Sequence, residues 1–147
     1  MSLLYADSSA LVRAYFADEP DHDMLRSLLL DGKEPVITSE IARLELASAL
    51  RAASVDRRFR RWREMSQRFD RDLADGGRIA AIELRPDTIF PVAHRLILEH
   101  RLRTLDAIHL AVCAGEAPAV AAGDEIAFVT RDKDQANAAK SLGFAVR

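Results

Sequence analysis

Apolar residues gather in short runs at Leu3–Ala6, 36–37, 79–84 and Ile126–Val129, each bounded by polar or turn-forming residues. Runs of that length fit buried strands, and a last edge strand is expected at 144–146. Between them the apolar positions recur at helical spacing. Leu11, Val12, Tyr15 and Phe16 predict a helix over 9–18, with Ser8 or Ser9 as its cap, and Pro20 ends it. Met24, Leu25, Leu28 and Leu29 predict a short second helix, closed by the Asp31-Gly32 turn. Longer helices are expected over 40–53 (after Thr38 and Ser39), 55–73, 86–100 (opened by Pro86) and 105–115 (capped by Thr104). Residues 118–123 read as an exposed Ala-rich loop. A helix over 133–142 follows, with Gly143 at its C-terminal end. Strands alternating with helices predict an α/β chain with one mainly parallel sheet flanked by helices.

Four acids break the apolar pattern. Asp7 follows the first strand directly, where open α/β sheets place their functional crevice. Glu45 stands between Leu44 and Leu46 on a largely apolar helix face. Burying a carboxylate is costly unless it is paired or bound to a metal, so Glu45 calls for either an arginine partner or a cation. Asp106 falls in the first turn of its helix, where the helix dipole alone favours an acid, yet Leu105, Ala107, Ile108 and Leu110 surround it. Asp132 ends the strand at 126–129, with Asp134 as a neighbouring competitor. Each acid has a bland explanation, Asp7 as a simple helix cap among them.

Composition narrows the class. The chain has 147 residues, 49% hydrophobic and 30% charged, with net charge −2, which fits one domain, 1–147, with a real core. No apolar run approaches the roughly 18 residues of a membrane span, and no secretory signal is visible, so a cytoplasmic protein is expected. The single cysteine, Cys113, rules out an intrachain disulfide and reads as core. The one concentration of positive charge lies in 55–73, where Arg57, Arg58, Arg60 and Arg61 are followed by Arg63, Arg68 and Arg71 among Phe59, Trp62 and Phe69. Arginine forks suit phosphate, so Arg57, Arg58, Arg60 and Arg61 are candidate nucleic-acid phosphate contacts, the alternative being a solvated helix face.

If the four acids share one pocket, electrostatics limits what the pocket holds. Two carboxylates about 5 Å apart repel by roughly 3 kcal/mol at an effective dielectric of about 20. Several such pairs require protons or a cation. Oxygen-only ligands select Mg²⁺ or Mn²⁺, while His22, His94, His100 and His109 show no zinc-ligand spacing. His109 is expected to pack or hydrogen-bond within the fold.

The sequence 7–12 (DSSALV) resembles the opening motif of PIN-domain nucleases. Ser39-Glu40-Ile41-Ala42-Arg43-Leu44-Glu45-Leu46 resembles their second motif, Leu105-Asp106-Ala107-Ile108-His109-Leu110-Ala111 their third, and Thr130-Arg131-Asp132 their fourth. The four occur in order over essentially the whole chain, which is similar in its short form to VapC toxins of toxin–antitoxin pairs. The resemblance implies a PIN-like fold and a Mg²⁺-dependent endoribonuclease, with Mn²⁺ able to substitute, leaving a 5′-phosphate and a 3′-hydroxyl. It implies Asp7, Glu45 and Asp106 as metal ligands, Asp132 as a fourth catalytic carboxylate, and Ser9 and Thr130 as hydroxyls that orient carboxylates or water. It also implies a homodimer and a cognate antitoxin partner. Two other classes compete. A haloacid-dehalogenase-like phosphatase would need an aspartate where Ser9 stands. An inactive PIN fold would bind RNA or assemble without cutting.

Overall fold

The structure is a computed structural model and describes residues 1–56 and 60–147. Strands β1 (Leu3–Ala6), β2 (Val36–Ser39), β3 (Ile79–Ile82), β4 (Ile126–Val129) and β5 (Ala145–Val146) form one sheet, ordered β3-β2-β1-β4-β5 and parallel throughout. The helices are α1 (Ser8–Tyr15), α2 (His22–Leu29), α3 (Ala42–Val55), α4 (Trp62–Asp72), α5 (Pro86–Glu99), α6 (Thr104–Ala121) and α7 (Lys133–Ser141).

The alternation of side chains along β1 distributes the helices over two faces. Leu4 and Ala6 point to one side and pack with Leu11, Tyr15, Leu25, Leu46, Leu50 and Phe69 of α1–α4. Leu3 and Tyr5 point to the other and pack with Ile89, Leu96, Ile108, Val112 and Ala138 of α5–α7. Burial on both faces explains why the strands read as unbroken apolar runs. The chain moves outward from β1 through β2 to β3, then returns to place β4 on the other side of β1. The strand order therefore reverses at β1, and a crevice opens beyond the carboxyl ends of β1 and β4. No helix among the described residues is long and apolar enough to cross a membrane.

Four local expectations change. Asp7, not Ser8 or Ser9, caps α1, its Oδ1 accepting from the Ala10 N–H at 2.9 Å. Residues 55–73 are not one helix. The helix α3 stops at Val55, Asp56 closes it, and α4 starts afresh at Trp62. A straight continuation would carry Phe69 about 21 Å beyond Val55. After the break, Phe69 packs edge-on to Tyr15 at 4.1 Å and joins Leu73 in the core. Arg60 and Arg61 thus lie in an exposed turn, and Arg57 and Arg58 lie outside the described residues.

The loop expected at 118–123 is the end of α6, which runs through Pro118 to Ala121 with Thr104 inside its first turn. Buried Ala117 and Ala121 face the core and favour the helix. The helix ends where Ala122 turns left-handed (φ 50°) and donates its N–H to the Pro118 carbonyl. Leu44, expected beside Glu45 on the apolar face, is 73% exposed, because α3 buries the stripe Ala42, Leu46, Leu50 and Ala53. Cys113 is core as expected, and burial pushes its thiol up to about 12.

Candidate active site at the carboxyl ends of the central strands

Asp7 follows β1 and is almost wholly buried. Its Oδ1 accepts from Ser9 Oγ at 2.8 Å and from the Ala10 N–H, and its Oδ2 accepts from Thr130 Oγ1, the residue after β4. Thr130 Oγ1 accepts in turn from the Asp132 N–H at 3.1 Å, while Ser9 Oγ accepts from the Arg131 N–H at 2.9 Å. Hydroxyls from the ends of two neighbouring strands thus lock one carboxylate across the crevice. Burial holds the Asp7 carboxyl above its ordinary range, and the nearby His109 together with the Thr130, Ser9 and Ala10 hydrogen bonds offsets part of that rise.

Glu45 comes from the first turn of α3. Its Oε2 accepts from Ser8 Oγ at 2.7 Å and its Oε1 lies 2.6 Å from His109 Nε2. A carboxylate oxygen only accepts, so Nε2 donates; in the neutral ring Nδ1 then accepts from the Tyr5 hydroxyl at 3.0 Å. Tyr5 is fully buried and stacked on Phe128 at 5.4 Å, so the line Tyr5–His109–Glu45 crosses from the sheet to α3 through α6. Burial raises the Glu45 carboxyl, but His109, Ser8 and Arg103 outweigh it and the group stays below its ordinary range. An arginine or a cation was expected opposite Glu45; the side chain that the structure places there is His109.

Asp106, on the first turn of α6, is half-buried. Burial raises its carboxyl, Arg103 pulls it down, Asp132 pushes it up again, and the net shift is upward. Asp132 caps α7, its Oδ1 accepting from the Gln135 N–H at 2.8 Å. Gln135 Nε2 donates to the Asp106 backbone carbonyl at 3.0 Å, tying α7 to the start of α6. Arg103 Nε lies 3.3 Å from Asp106 Oδ2, and Arg103 Nη2 lies 4.0 Å from Asp132 Oδ2.

These residues border one cleft of about 600 Å³, lined by Ser8, Ser9, Glu45, Arg103, Asp106 and Asp132 among others, with Asp7 directly behind Ser9. Asp134 is exposed and lies away from the lining, so Asp132 is the acid that the cleft contains. Ser8 belongs to the 7–12 motif, whereas Arg103 and Gln135 are not among the residues the sequence singles out. The one available signal is the three-residue spacing of Arg103 and Asp106 at a helix start.

The donors fit a hard divalent cation: the set is carboxylate oxygen, it comes from four separate segments, and Asp106 and Asp132 raise one another's energy when ionised. In the conformation described, the acids are satisfied by Thr130, Ser9, Ser8, His109 and Arg103. Among the described residues, no three acidic, histidine or cysteine side chains meet around one point.

The sequence model described as PIN domain matches residues 4–141. No curated protein matches the sequence. Among solved structures, the chain is similar to Mycobacterium tuberculosis VapC20, described as a sarcin-ricin loop cleaving toxin, at 17% identity and TM-score 0.63, over 97% of this chain and 96% of that one. It is also similar to a chain of a toxin–antitoxin complex from Klebsiella pneumoniae at 19% identity and TM-score 0.52, over 91% of this chain and 89% of that one. At these identities the likeness establishes the shared fold.

Proposed function

The chain belongs to the PIN domain family, and from that premise we propose that it is a metal-dependent endoribonuclease and the toxin of a toxin–antitoxin pair. The observation that carries this reading is the cleft itself, where Glu45, Asp106 and Asp132 line one opening and Ser9 links it to Asp7. The two structural neighbours, one described as a sarcin-ricin loop cleaving toxin and one as part of a toxin–antitoxin complex, agree with it. Residues 1–147 would form one nuclease domain, acting in the cytoplasm, with a cognate antitoxin as partner. Homodimerisation belongs to the same proposal, and exposed Phe90, Ile97 and Leu98 on α5 offer an apolar surface for it.

Asp7, Glu45 and Asp106 would hold Mg²⁺, or Mn²⁺ in its place, with Asp132 beside them. The bound cation would lower the pKa of the attacking water and stabilise charge on the phosphoryl oxygens. The protein's own contribution is orientation. Ser9 and Thr130 fix both oxygens of Asp7, Ser8 and His109 fix both oxygens of Glu45, and Gln135 holds the helix carrying Asp132 against the helix carrying Asp106. Carboxylates fixed by surrounding hydrogen bonds present their remaining lone pairs without reorganising, which favours a metal-centred reaction.

The test is cleavage of single-stranded RNA by the purified chain with Mg²⁺, with Mn²⁺ and with EDTA. Cleavage with either ion and none in EDTA is the expected result. Cleavage that persists in EDTA would remove the metal from the mechanism, and binding without cleavage would favour an inactive RNA-binding PIN module.

RNA contact is proposed for Arg57, Arg58, Arg60 and Arg61. Arg61 lines a basic depression of about 610 Å³ together with Arg26, Arg68 and Arg71, which adds phosphate-binding capacity beside it. Replacing Arg57, Arg58, Arg60 and Arg61 with Gln should weaken RNA binding and flatten its salt dependence by about 0.7 units for each lost phosphate contact. An unchanged slope, measured by anisotropy across a salt series, would assign these arginines to solvation alone.

A further inference from the structure

The proposed activity contains an electrostatic conflict. Glu19, Glu45, Asp106 and Asp132 line a cleft that must receive a polyanion, and among the described residues the only basic side chains in that lining are Arg13 and Arg103. Arg13 lies 3.8 Å from Asp21, which also accepts from Arg131 Nε at 3.0 Å. Arg103 differs. It precedes α6, its side chain is 84% exposed, and its guanidinium reaches over the rim toward two acids on different helices. Among the described residues, no other basic side chain lies within ion-pairing distance of either Asp106 or Asp132.

We propose that Arg103 is the resident counter-ion of the Asp106–Asp132 pair and the substrate-positioning residue that turns to an RNA phosphate once a divalent cation takes over that pair. The inference rests on the metal-nuclease reading of the cleft. Its physical basis is that a guanidinium with five donors and one exposed stem has two alternative anionic partners and cannot fully serve both. While the pair lacks a cation, Arg103 lowers the repulsion between the two carboxylates, consistent with its downward pull on Asp106. When that repulsion is otherwise relieved, the fork is left at the mouth of the cleft, where its planar donors match phosphate oxygens bidentately. Exposure makes the exchange feasible, since an exposed ion pair contributes little stability and breaks readily.

One substitution should therefore move two quantities in opposite directions. Arg103→Gln removes the competitor for the acid pair, so Mg²⁺ should bind the RNA-free protein more tightly. The Mg²⁺ midpoint for thermal stabilisation should fall by roughly fivefold, the scale of one exposed ion pair. The same substitution removes a phosphate contact, so KM for single-stranded RNA at saturating Mg²⁺ should rise by roughly tenfold, the scale of one charge-assisted contact. Arg103→Lys keeps the charge but not the fork. Its Mg²⁺ midpoint should stay near that of wild type while KM still rises. A merely structural role would move both quantities the same way.

The experiment is a Mg²⁺ titration of melting temperature without RNA, paired with initial cleavage rates, for wild type, Arg103→Gln and Arg103→Lys. Opposite shifts in Arg103→Gln support the proposal. A Mg²⁺ midpoint that is unchanged or higher in Arg103→Gln, or an unchanged KM, overturns it while leaving a Mg²⁺-responsive, RNA-cleaving wild type and the nuclease reading intact. A wild type that neither responds to Mg²⁺ nor cleaves RNA overturns both.

Discussion

Asp7→Asn should reduce RNA cleavage by at least about a hundredfold while leaving the fold in place. Asn is nearly isosteric and keeps an oxygen to accept the Ala10 N–H, so the α1 cap survives. The lost charge is what a divalent cation would require, and disturbing a metal site costs on that scale. Stability separates this outcome from misfolding. Burial raises the Asp7 carboxyl above its ordinary 3.8, so the folded state binds that proton more tightly than the unfolded chain does. Between the unfolded and folded pKa values the native state carries more protons, and stability falls as pH rises through that window. At pH 7 the buried Asp7 carboxyl is therefore a net burden on the metal-free fold. Asp7→Asn in EDTA should melt at or above wild type at pH 7, and the gap should close as the pH is lowered toward 3.8. An inactive variant that melts well below wild type would make Asp7 a structural cap and nothing more. Full activity in the variant would remove Asp7 from the chemistry.

His109→Ala should be the most destabilising single change at the site. His109 is fully buried between the Tyr5 hydroxyl and the Glu45 carboxylate. Its removal leaves a cavity, a buried phenol without its side-chain partner and a carboxylate stripped of its principal donor. Such changes together cost about 3–5 kcal/mol, or a fall in melting temperature of roughly 6–20 °C for a domain of this size. Tyr5→Phe removes only one hydroxyl from the same line and should cost about 1 kcal/mol. Because the groups act in series, Tyr5→Phe combined with His109→Ala should cost less than the sum of the two. Thermal melts of the three variants check this. A His109→Ala loss below about 1 kcal/mol, or strict additivity, would mean that the Tyr5–His109–Glu45 line bears no load in the folded state.

The acid ladder behaves differently at Glu45. Its carboxyl is held below its ordinary range, so it stabilises the fold at neutral pH and loses that effect as pH falls through its folded value. Asp7 and Asp106, both raised, act in the opposite sense. Acids with the same side-chain chemistry differ because each meets a different set of donors.

The strands, most of the helices and the positions of the acids were legible in the pattern of residues. Leu3–Ala6 and Ile126–Val129 are buried on both faces, and a strand buried twice has to be apolar at every position, so β1 and β4 were legible as runs. Asp7 and Asp132 were legible because a strand's end is also visible in the sequence. The break between α3 and α4 was not, since 55–73 keeps helical periodicity throughout. Only the need to bring Phe69 back against Tyr15 interrupts it. Nor was the helical state of 118–121, where buried alanines on α6 override the proline.

Partnership between side chains was not legible in that pattern. Glu45 lies 64 positions from His109, and Thr130 lies 123 from Asp7, separations at which no local pattern records which donor faces which acceptor. Arg103 and Gln135 belong to the site for the same reason. Periodicity records whether a residue points inward or outward, which is a one-body property. Hydrogen bonding and charge pairing are two-body properties, fixed only once the reversal of strand order at β1 brings the ends of β1 and β4 side by side.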